Sequence, residues 1–227
     1  MQIAIFGGTF DPIHVGHLMV AEQVRQIFSF EQVIFMPSAI PPHKPENTCV
    51  SAKDRFMMVS LATLSNPCFQ VSPLEIDRQG PSYTVDTLKA LRKSFGTEVE
   101  IFFLAGSDAL WEMETWREAE RLFELCRFII IHRPGAAREG TLKQLQHSFF
   151  QRVENLNPQI IRFPFAEEQK IDYTVRMFLV EAISVDISSS AIRKLCAQGK
   201  SVKYLVPEPV EDYISKHNLY SYKGELP

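Results

Sequence analysis

The sequence predicts an α/β fold, a doubly wound and mostly parallel sheet with helices on both faces. Three observations predict it. Short apolar runs alternate with helical patterns along most of the 227 residues. Three of those runs end in turns, at Gly7-Gly8, at Ala105-Gly106-Ser107-Asp108 and at Arg133-Pro134-Gly135. Val99–Leu104 is a β-rich run with one charge, the pattern of a central strand covered on both faces. Right-handed crossovers in such a sheet leave the ligand site outside the carboxyl ends of the strands, where the three turns fall.

The elements follow in order. Ile3–Phe6 reads as the first strand. Val15–Phe28 reads as a helix, with Val20, Val24, Ile27 and Phe28 at helical spacing. Val33–Met36 is the next strand, stopped by Pro37. A helix over Ser51–Leu64 and a strand near Phe69–Val71 come next. Val85, Leu88, Leu91 and Phe95 mark a helix that ends near Gly96. After the Val99–Leu104 strand, Trp116–Leu125 reads as a helix and Phe128–Ile131 as a strand. Residues from about 136 to 170 are polar, with a weak helical pattern at Leu142, Leu145 and Phe149. Met177–Ile183 reads as a late strand, and Ser188–Ala197 and Pro209–His217 as closing helices. No repeat, low-complexity tract or linker interrupts the chain, so one domain over 1–227 is expected.

Composition narrows the function. Apolar residues make up 45% with 17 Phe, enough for a substantial core. The net charge is −3 and no Lys/Arg block exists, so no nucleic-acid or membrane-surface footprint is expected. A small anionic ligand must then be held by a local cluster rather than a global field. Cys49, Cys68, Cys126 and Cys196 are far apart with no C-x-x-C, which argues against a zinc ribbon or a disulfide framework and fits reduced thiols in a cytoplasm. Neither a basic leader nor a run of membrane-spanning length is present, so secretion and anchoring are not expected.

The local cluster is Gly7-Gly8-Thr9-Phe10-Asp11-Pro12-Ile13-His14-Val15-Gly16-His17. A glycine-rich strand-to-helix turn gathers backbone N–H groups and a positive helix end at one point, which is a phosphate site. His14 and His17 add side-chain donors there. Rival motifs fail: no Gly-Lys-Ser/Thr follows, no G-x-G-x-x-G occurs, and H-E-x-x-H is absent. A tight turn with surface histidines would explain one histidine but not this combination. The turn resembles the H-x-G-H signature of the nucleotidyltransferase superfamily, with His14 and His17 in its histidine positions. The resemblance implies that both contact the phosphates of a nucleoside triphosphate.

A second cluster is Ile187-Ser188-Ser189-Ser190-Ala191-Ile192-Arg193. Ser188 suits an N-cap and Gly199 a stop, and Ile192, Leu195 and Cys196 form the buried stripe. Arg193 lies three and four residues after Ser190 and Ser189, and helical side chains lean toward the amino end, so guanidinium and hydroxyls can share one anion. A serine-rich cap with a solvated arginine is the plain alternative. The segment resembles the superfamily's I-S-S-T-x-I-R signature, with Ser190 in place of the usual threonine; the hydroxyl survives.

Further segments narrow the family. Ile40-Pro41-Pro42-His43-Lys44 is a rigid loop ending in a cation, and Gly80-Pro81-Ser82-Tyr83-Thr84 is a turn that starts a helix. Gly106-Ser107-Asp108, Trp111, Trp116 and Arg133-Pro134-Gly135 follow. Taken singly these are loop, cap, turn and core tryptophans. In this order, with Pro207-Glu208-Pro209-Val210 and Asn218-Leu219-Tyr220 at the end, they resemble bacterial nicotinate-mononucleotide adenylyltransferase, from residue 3 to about 135 and from about 180 to Tyr220.

That resemblance implies a Rossmann-like nucleotidyltransferase fold, with 1–135 as nucleotide-binding core and 136–227 completing the sheet and supplying the last phosphate-binding helix. It implies ATP and nicotinate mononucleotide as substrates, with Mg²⁺ held mainly through phosphates rather than by a protein cage. ATP would lie on Gly7, Gly8, Thr9, Phe10, Gly16, Ser188, Ser189, Ser190 and Arg193. His14, His17, Lys44 and Arg193 would carry catalysis. The mononucleotide would lie on Lys44, Tyr83, Thr84, Gly106, Asp108, Trp116, Arg117 and Arg133, with Trp116 on the pyridine ring, Asp108 on ribose, and the carboxylate held by backbone N–H groups near Thr84 and Arg117. Pantetheine-phosphate adenylyltransferases and cytidylyltransferases share the turn, but Pro81–Thr84, Trp116 and the Leu219-Tyr220 ending fit them poorly. A non-catalytic nucleotide sensor on the same fold is the reading from another class.

Overall fold

The computed structural model describes residues 1–42, 50–132, 145, 147–154, 156–164, 170–183 and 185–221. Seven strands form one sheet: β1 (Gln2–Gly8), β2 (Val33–Pro37), β3 (Phe69–Val71), β4 (Glu100–Gly106), β5 (Arg127–His132), β6 (Gln159–Arg162) and β7 (Met177–Glu181). Their order is β3-β2-β1-β4-β5-β7-β6, and every neighbouring pair is parallel. The expected doubly wound sheet is therefore present, and wholly parallel among the described residues.

Alternation along the strands divides the core. On one face lie Ala4, Phe6, Phe102, Leu104, Ile129, Ile131, Phe178 and Val180. Helices α1 (Val15–Phe28), α2 (Ala52–Thr63), α8 (Ser189–Ala197) and α9 (Glu208–Lys216) cover them with Val24, Met58, Ile192 and Val210. On the other face lie Ile3, Ile5, Phe103, Ala105, Phe128, Ile130, Met177 and Leu179. There α4 (Thr84–Phe95), α5 (Ala109–Glu112), α6 (Ala119–Leu125) and α7 (Ser148–Gln151) supply Leu88, Leu110, Leu122 and Phe149. Each of the buried Val, Leu, Ile, Met and Phe side chains stabilises the fold by roughly 1.5–3 kcal/mol. A short helix, α3 (Leu74–Asp77), lies between β3 and α4.

Helix ends follow their residues. Ser51 caps α2 by accepting the Asp54 N–H at 3.1 Å, and Gly96 closes α4 at φ +78°. The expected Trp116–Leu125 helix is shorter: Met113–Thr115 form a 3₁₀ turn, Trp116 is extended, and α6 begins at Ala119. The late strand stops at Glu181, not Ile183. β6 has no clear sequence signal, because it is a four-residue edge strand with only Ile160 and Ile161 apolar between Gln159 and Arg162. Leu145 and Phe149 of the weak pattern are buried on the second face, while Leu142 and the Arg133-Pro134-Gly135 turn lie outside the described residues.

The chain runs outward from β1 to β2 and β3, then crosses back so that β4 pairs β1 on its other side. Strand order reverses between β1 and β4. Above the carboxyl ends of those two strands is where a parallel sheet opens a crevice.

Candidate active site

The β1–α1 turn is packed too closely for side chains at its glycines. A Cβ on Gly7 would stand 2.5 Å from the Phe103 ring, and one on Gly8 2.9 Å from the Phe10 ring. Phe10 itself takes a left-handed backbone, φ +49°, at a cost of about 1–3 kcal/mol. Burial of its ring against Phe6 and Phe35, at 5.5 and 5.8 Å between centroids, offsets that cost. Ile13 is also fully buried, so the turn is pinned to the core on both sides of the Asp11-Pro12 cis peptide.

The two histidines are fixed by each other. His14 is the N-cap of α1, and its N–H donates to His17 Nδ1 at 3.2 Å. The rings stack at 3.7 Å between centroids and 24° between planes. His17 also meets the edges of Phe10 and Phe6, at 5.2 and 6.0 Å. With Nδ1 accepting, the neutral ring carries its proton on Nε2, the tautomer assigned by this hydrogen bond. Not every donor of the helix end faces outward: the Val15 N–H is bonded to Leu205 O at 3.0 Å.

The far end of the chain returns to this turn. Ser188 caps α8 by accepting the Ala191 N–H at 3.2 Å. Ser189 Oγ donates to Pro12 O at 2.8 Å, and Arg193 Nη1 donates to Asp11 O at 2.7 Å. Asp11 is buried at 2% exposure. Its Oδ1 accepts from the Tyr220 hydroxyl at 2.8 Å and from the Val50 N–H at 3.4 Å, and Oδ2 lies 3.6 Å from Arg193 Nη1. Burial first, and the Asp11 charge second, push the Tyr220 phenol well above its ordinary value.

A cavity of about 430 Å³ opens at the β1/β4 crossover. Gly7, Gly8, Thr9, Phe10, Asp11, His14, Gly16, His17 and Ser189 line one end. Tyr83, Thr84, Gly106, Asp108, Trp116 and Arg117 line the other, with Glu75 and Ser82 in the wall. Arg117 lies 5.1 Å from the Tyr83 ring centroid and donates to Asp86 at 3.2 Å, which holds its side chain at that end. Gly16 leaves room beside His14 Nδ1 and Val185, at 3.1 and 3.6 Å from a Cβ position.

The structure thus gathers most of the expected residues around one hollow: Gly7, Gly8, Thr9, Phe10, His14, Gly16, His17, Tyr83, Thr84, Gly106, Asp108, Trp116, Arg117 and Ser189. Ser188, Ser190 and Arg193 do not line the cavity themselves but sit beside Ser189, which does. The Ser188 and Ser190 hydroxyls are 3.2 Å apart at the start of α8, and Arg193 is bonded to the turn. Lys44 and Arg133 lie outside the described residues. Sequence reasoning gave no site role to Asp11, Arg55, Glu75 or Tyr220, although Asp11 and Tyr220 stood in its motifs. Arg55 had a signal: it stands at the head of the buried stripe of α2, with Met58, Val59 and Ala62 at helical spacing. An arginine there must bond internally. It does, donating to Val50 O, Thr9 O and Ala39 O at 3.2, 2.8 and 2.9 Å.

Comparison with known proteins agrees with this architecture. The cytidylyltransferase-like family matches residues 5–195. A "Probable nicotinate-nucleotide adenylyltransferase" of Moorella thermoacetica is 42% identical over 96% of this chain and 91% of its own length. One of Geobacter metallireducens is 42% identical over 98% and 99%. The solved Plasmodium falciparum nicotinic acid mononucleotide adenylyltransferase complexed with NaAD superposes with a TM-score of 0.70 over 96% of this chain and 97% of that one, at 23% identity, which speaks to the fold. The chain belongs to the cytidylyltransferase-like family and, within it, to the nicotinate-nucleotide adenylyltransferases.

Proposed function

We propose that this protein transfers the adenylyl group of ATP to nicotinate mononucleotide, giving nicotinate adenine dinucleotide and pyrophosphate for NAD biosynthesis. One observation carries the reading: α8 is bonded to the β1–α1 turn, through Ser189 to Pro12 and Arg193 to Asp11, at the rim of a single cavity. Cationic and N–H donors from both ends of the chain thereby serve one polyanion-sized hollow.

The chemistry asks for alignment rather than activation. The mononucleotide 5′-phosphate has a second pKa of about 6, so it is anionic at neutral pH and needs no general base. One of its oxygens forms a bond to the α-phosphorus of ATP. The bond from that phosphorus to the bridging oxygen breaks, and pyrophosphate leaves with the electron pair. No covalent enzyme intermediate is required. His14, His17, Lys44 and Arg193 neutralise charge on the leaving group, and Gly7, Gly8, Thr9, Phe10, Gly16, Ser188, Ser189 and Ser190 hold ATP. Tyr83, Thr84, Gly106, Asp108, Trp116, Arg117 and Arg133 hold the mononucleotide, its ring carboxylate on backbone N–H groups near Thr84 and Arg117.

Among the described residues no three His, Cys, Asp or Glu side chains converge as a metal cage. With the Asp11 carboxylate committed to Tyr220, Val50 and Arg193, Mg²⁺ would be held through phosphate oxygens and water. Bound that way, the ion spreads the triphosphate charge. The substrates are small molecules, and a net charge of −3 with no Lys/Arg block supports small molecules over nucleic acid as partners. Cys68, Cys126 and Cys196 are free thiols, which supports a reducing, cytoplasmic setting.

A substrate panel tests the reading. The protein is incubated with Mg-ATP and, in separate arms, nicotinate mononucleotide, nicotinamide mononucleotide, pantetheine phosphate or no acceptor. The expected result is one pyrophosphate per nicotinate adenine dinucleotide, with nicotinate mononucleotide the best acceptor. ATP binding without turnover in any arm would establish a sensor instead, and turnover confined to pantetheine phosphate would reassign the substrate.

A further inference from the structure

The two ends of the cavity are joined by a buried polar chain that the proposed chemistry does not itself use. At the phosphate end, Arg55 donates to Thr9 O and to Ala39 O, at 2.8 and 2.9 Å. The Ala39 N–H donates to Ser82 Oγ at 2.9 Å, and the Ser82 N–H to Ile40 O at the same distance. The Ser82 hydroxyl and the Glu75 carboxyl lie together in the cavity wall, near enough for the hydroxyl to favour the charged carboxylate. Glu75 Oε1 accepts from the Thr87 hydroxyl at 2.6 Å. Thr87 lies in the first turn of α4, below Tyr83 and Thr84, and accepts from Arg78 Nη2 at 3.1 Å.

All four central members are buried: Arg55 at 1%, Ser82 at 7%, Glu75 at 6% and Thr87 at 0% exposure. A carboxylate sealed from water at a cavity wall costs stability unless its acceptors are filled. Burial pushes the Glu75 carboxyl up, opposed by the Thr87 and Ser82 hydroxyls and by the charges of Arg78 and Arg55. Folding has kept a titratable carboxyl sealed in this wall. What it gains is position: the hub fixes the loop after β2, the loop before α4 and the start of α4 to one another.

We infer that Glu75 is a positioning residue, which through Ser82 and Thr87 sets the amino end of α4 and its mononucleotide-binding residues against the phosphate turn. The inference rests on the adenylyl-transfer reading and deepens it. Arg55 ties both Thr9 and Ala39, so its loss disturbs both substrates. Glu75 stands beyond Ser82 on the mononucleotide side, so its loss disturbs one.

The experiment is steady-state kinetics of the full-length enzyme with each substrate varied in turn. In Glu75→Gln an amide N–H₂ replaces one acceptor oxygen, and a hydroxyl loses its partner. The KM for nicotinate mononucleotide is expected to rise about 10-fold or more, the scale of a lost hydrogen bond to a charged group, with the KM for ATP within about twofold. Ser82→Ala, milder for folding, is expected to shift the same constant in the same direction. The double variant is expected to be no worse than the worse single one, because both cut one chain. Equal rises in both KM values, an unchanged mononucleotide KM, or additive effects would overturn the inference. A wild-type enzyme that makes no dinucleotide would overturn the adenylyl-transfer reading, a failure separate from these.

Discussion

His17 has its ring plane and its proton position set by neighbours rather than by solvent. The His14 N–H holds Nδ1 at 3.2 Å, the His14 ring covers one face, and Phe6 and Phe10 meet its edge. A donor fixed in this way costs no reorganisation when charge develops on a departing phosphate. His17→Ala is accordingly expected to lower kcat roughly 10²–10³-fold, measured by pyrophosphate release at saturating substrates; a kcat near wild type would remove His17 from the chemistry. Trp116 stands at the opposite end, half-buried beside Arg117 in the cavity lining. Trp116→Ala is expected to raise the KM for the mononucleotide and leave that for ATP, a split read from the same assay. Parallel weakening of both substrates would contradict stacking on the pyridine ring. His17 stood out in sequence through its motif, whereas Trp116 alone read as a core tryptophan and its place beside the pyridine ring came only from the family resemblance. Asp11 stood in the same motif unread, because nothing local shows that Tyr220 and Arg193 will reach it from 209 and 182 residues away.

Elements are held in place by polar contacts between helices as well as by the apolar core. Glu22 of α1 accepts from Arg25 Nη2 and Nε at 2.8 and 2.9 Å, from Gln26 at 2.9 Å and from Asn66 at 3.1 Å, tying α1 to the loop after α2. The Arg25 bond foremost draws the Glu22 carboxyl from 4.5 down to about 2 against the opposing effect of burial. A carboxyl lowered on folding stabilises the protein fully above the unfolded value. That stabilisation is lost as pH falls from 4.5 through about 2. Allowing for screening at 31% side-chain exposure, it amounts to about 1–2 kcal/mol. Denaturant unfolding across that window is expected to show a shallower acid loss in Glu22→Gln than in the wild type. Identical slopes would show that the pair does not persist in solution. At the same scale, α8 was readable from Ser188 and its Ile192 stripe. The edge strand β6 was not, because four residues with polar ends carry too little pattern to separate from a loop.

At the scale of the whole molecule, alternation of strand and helix was enough to foresee two covered faces, and the glycine turns were enough to foresee the end that carries the site. Strand order was not readable, since pairing between β1 and β4 joins segments about a hundred residues apart and leaves no local trace. Nor was the wall that Arg55, Ser82 and Glu75 build, whose members come from three separate segments. The sheet brings β1 and β4 together, and α8 closes over the turn from the far end of the chain. That closure makes a direct demand on Arg193, whose side chain is 33% exposed and bonded to Asp11. Isothermal titration of Mg-ATP into wild type and Arg193→Ala, followed by nicotinate mononucleotide titrated into each alone, measures it. ATP affinity is predicted to weaken about tenfold or more in the variant, the worth of one charge-assisted contact, with mononucleotide affinity unchanged. Undiminished ATP binding in a folded Arg193→Ala protein would contradict a triphosphate shared between the opening turn and the C-terminal helix.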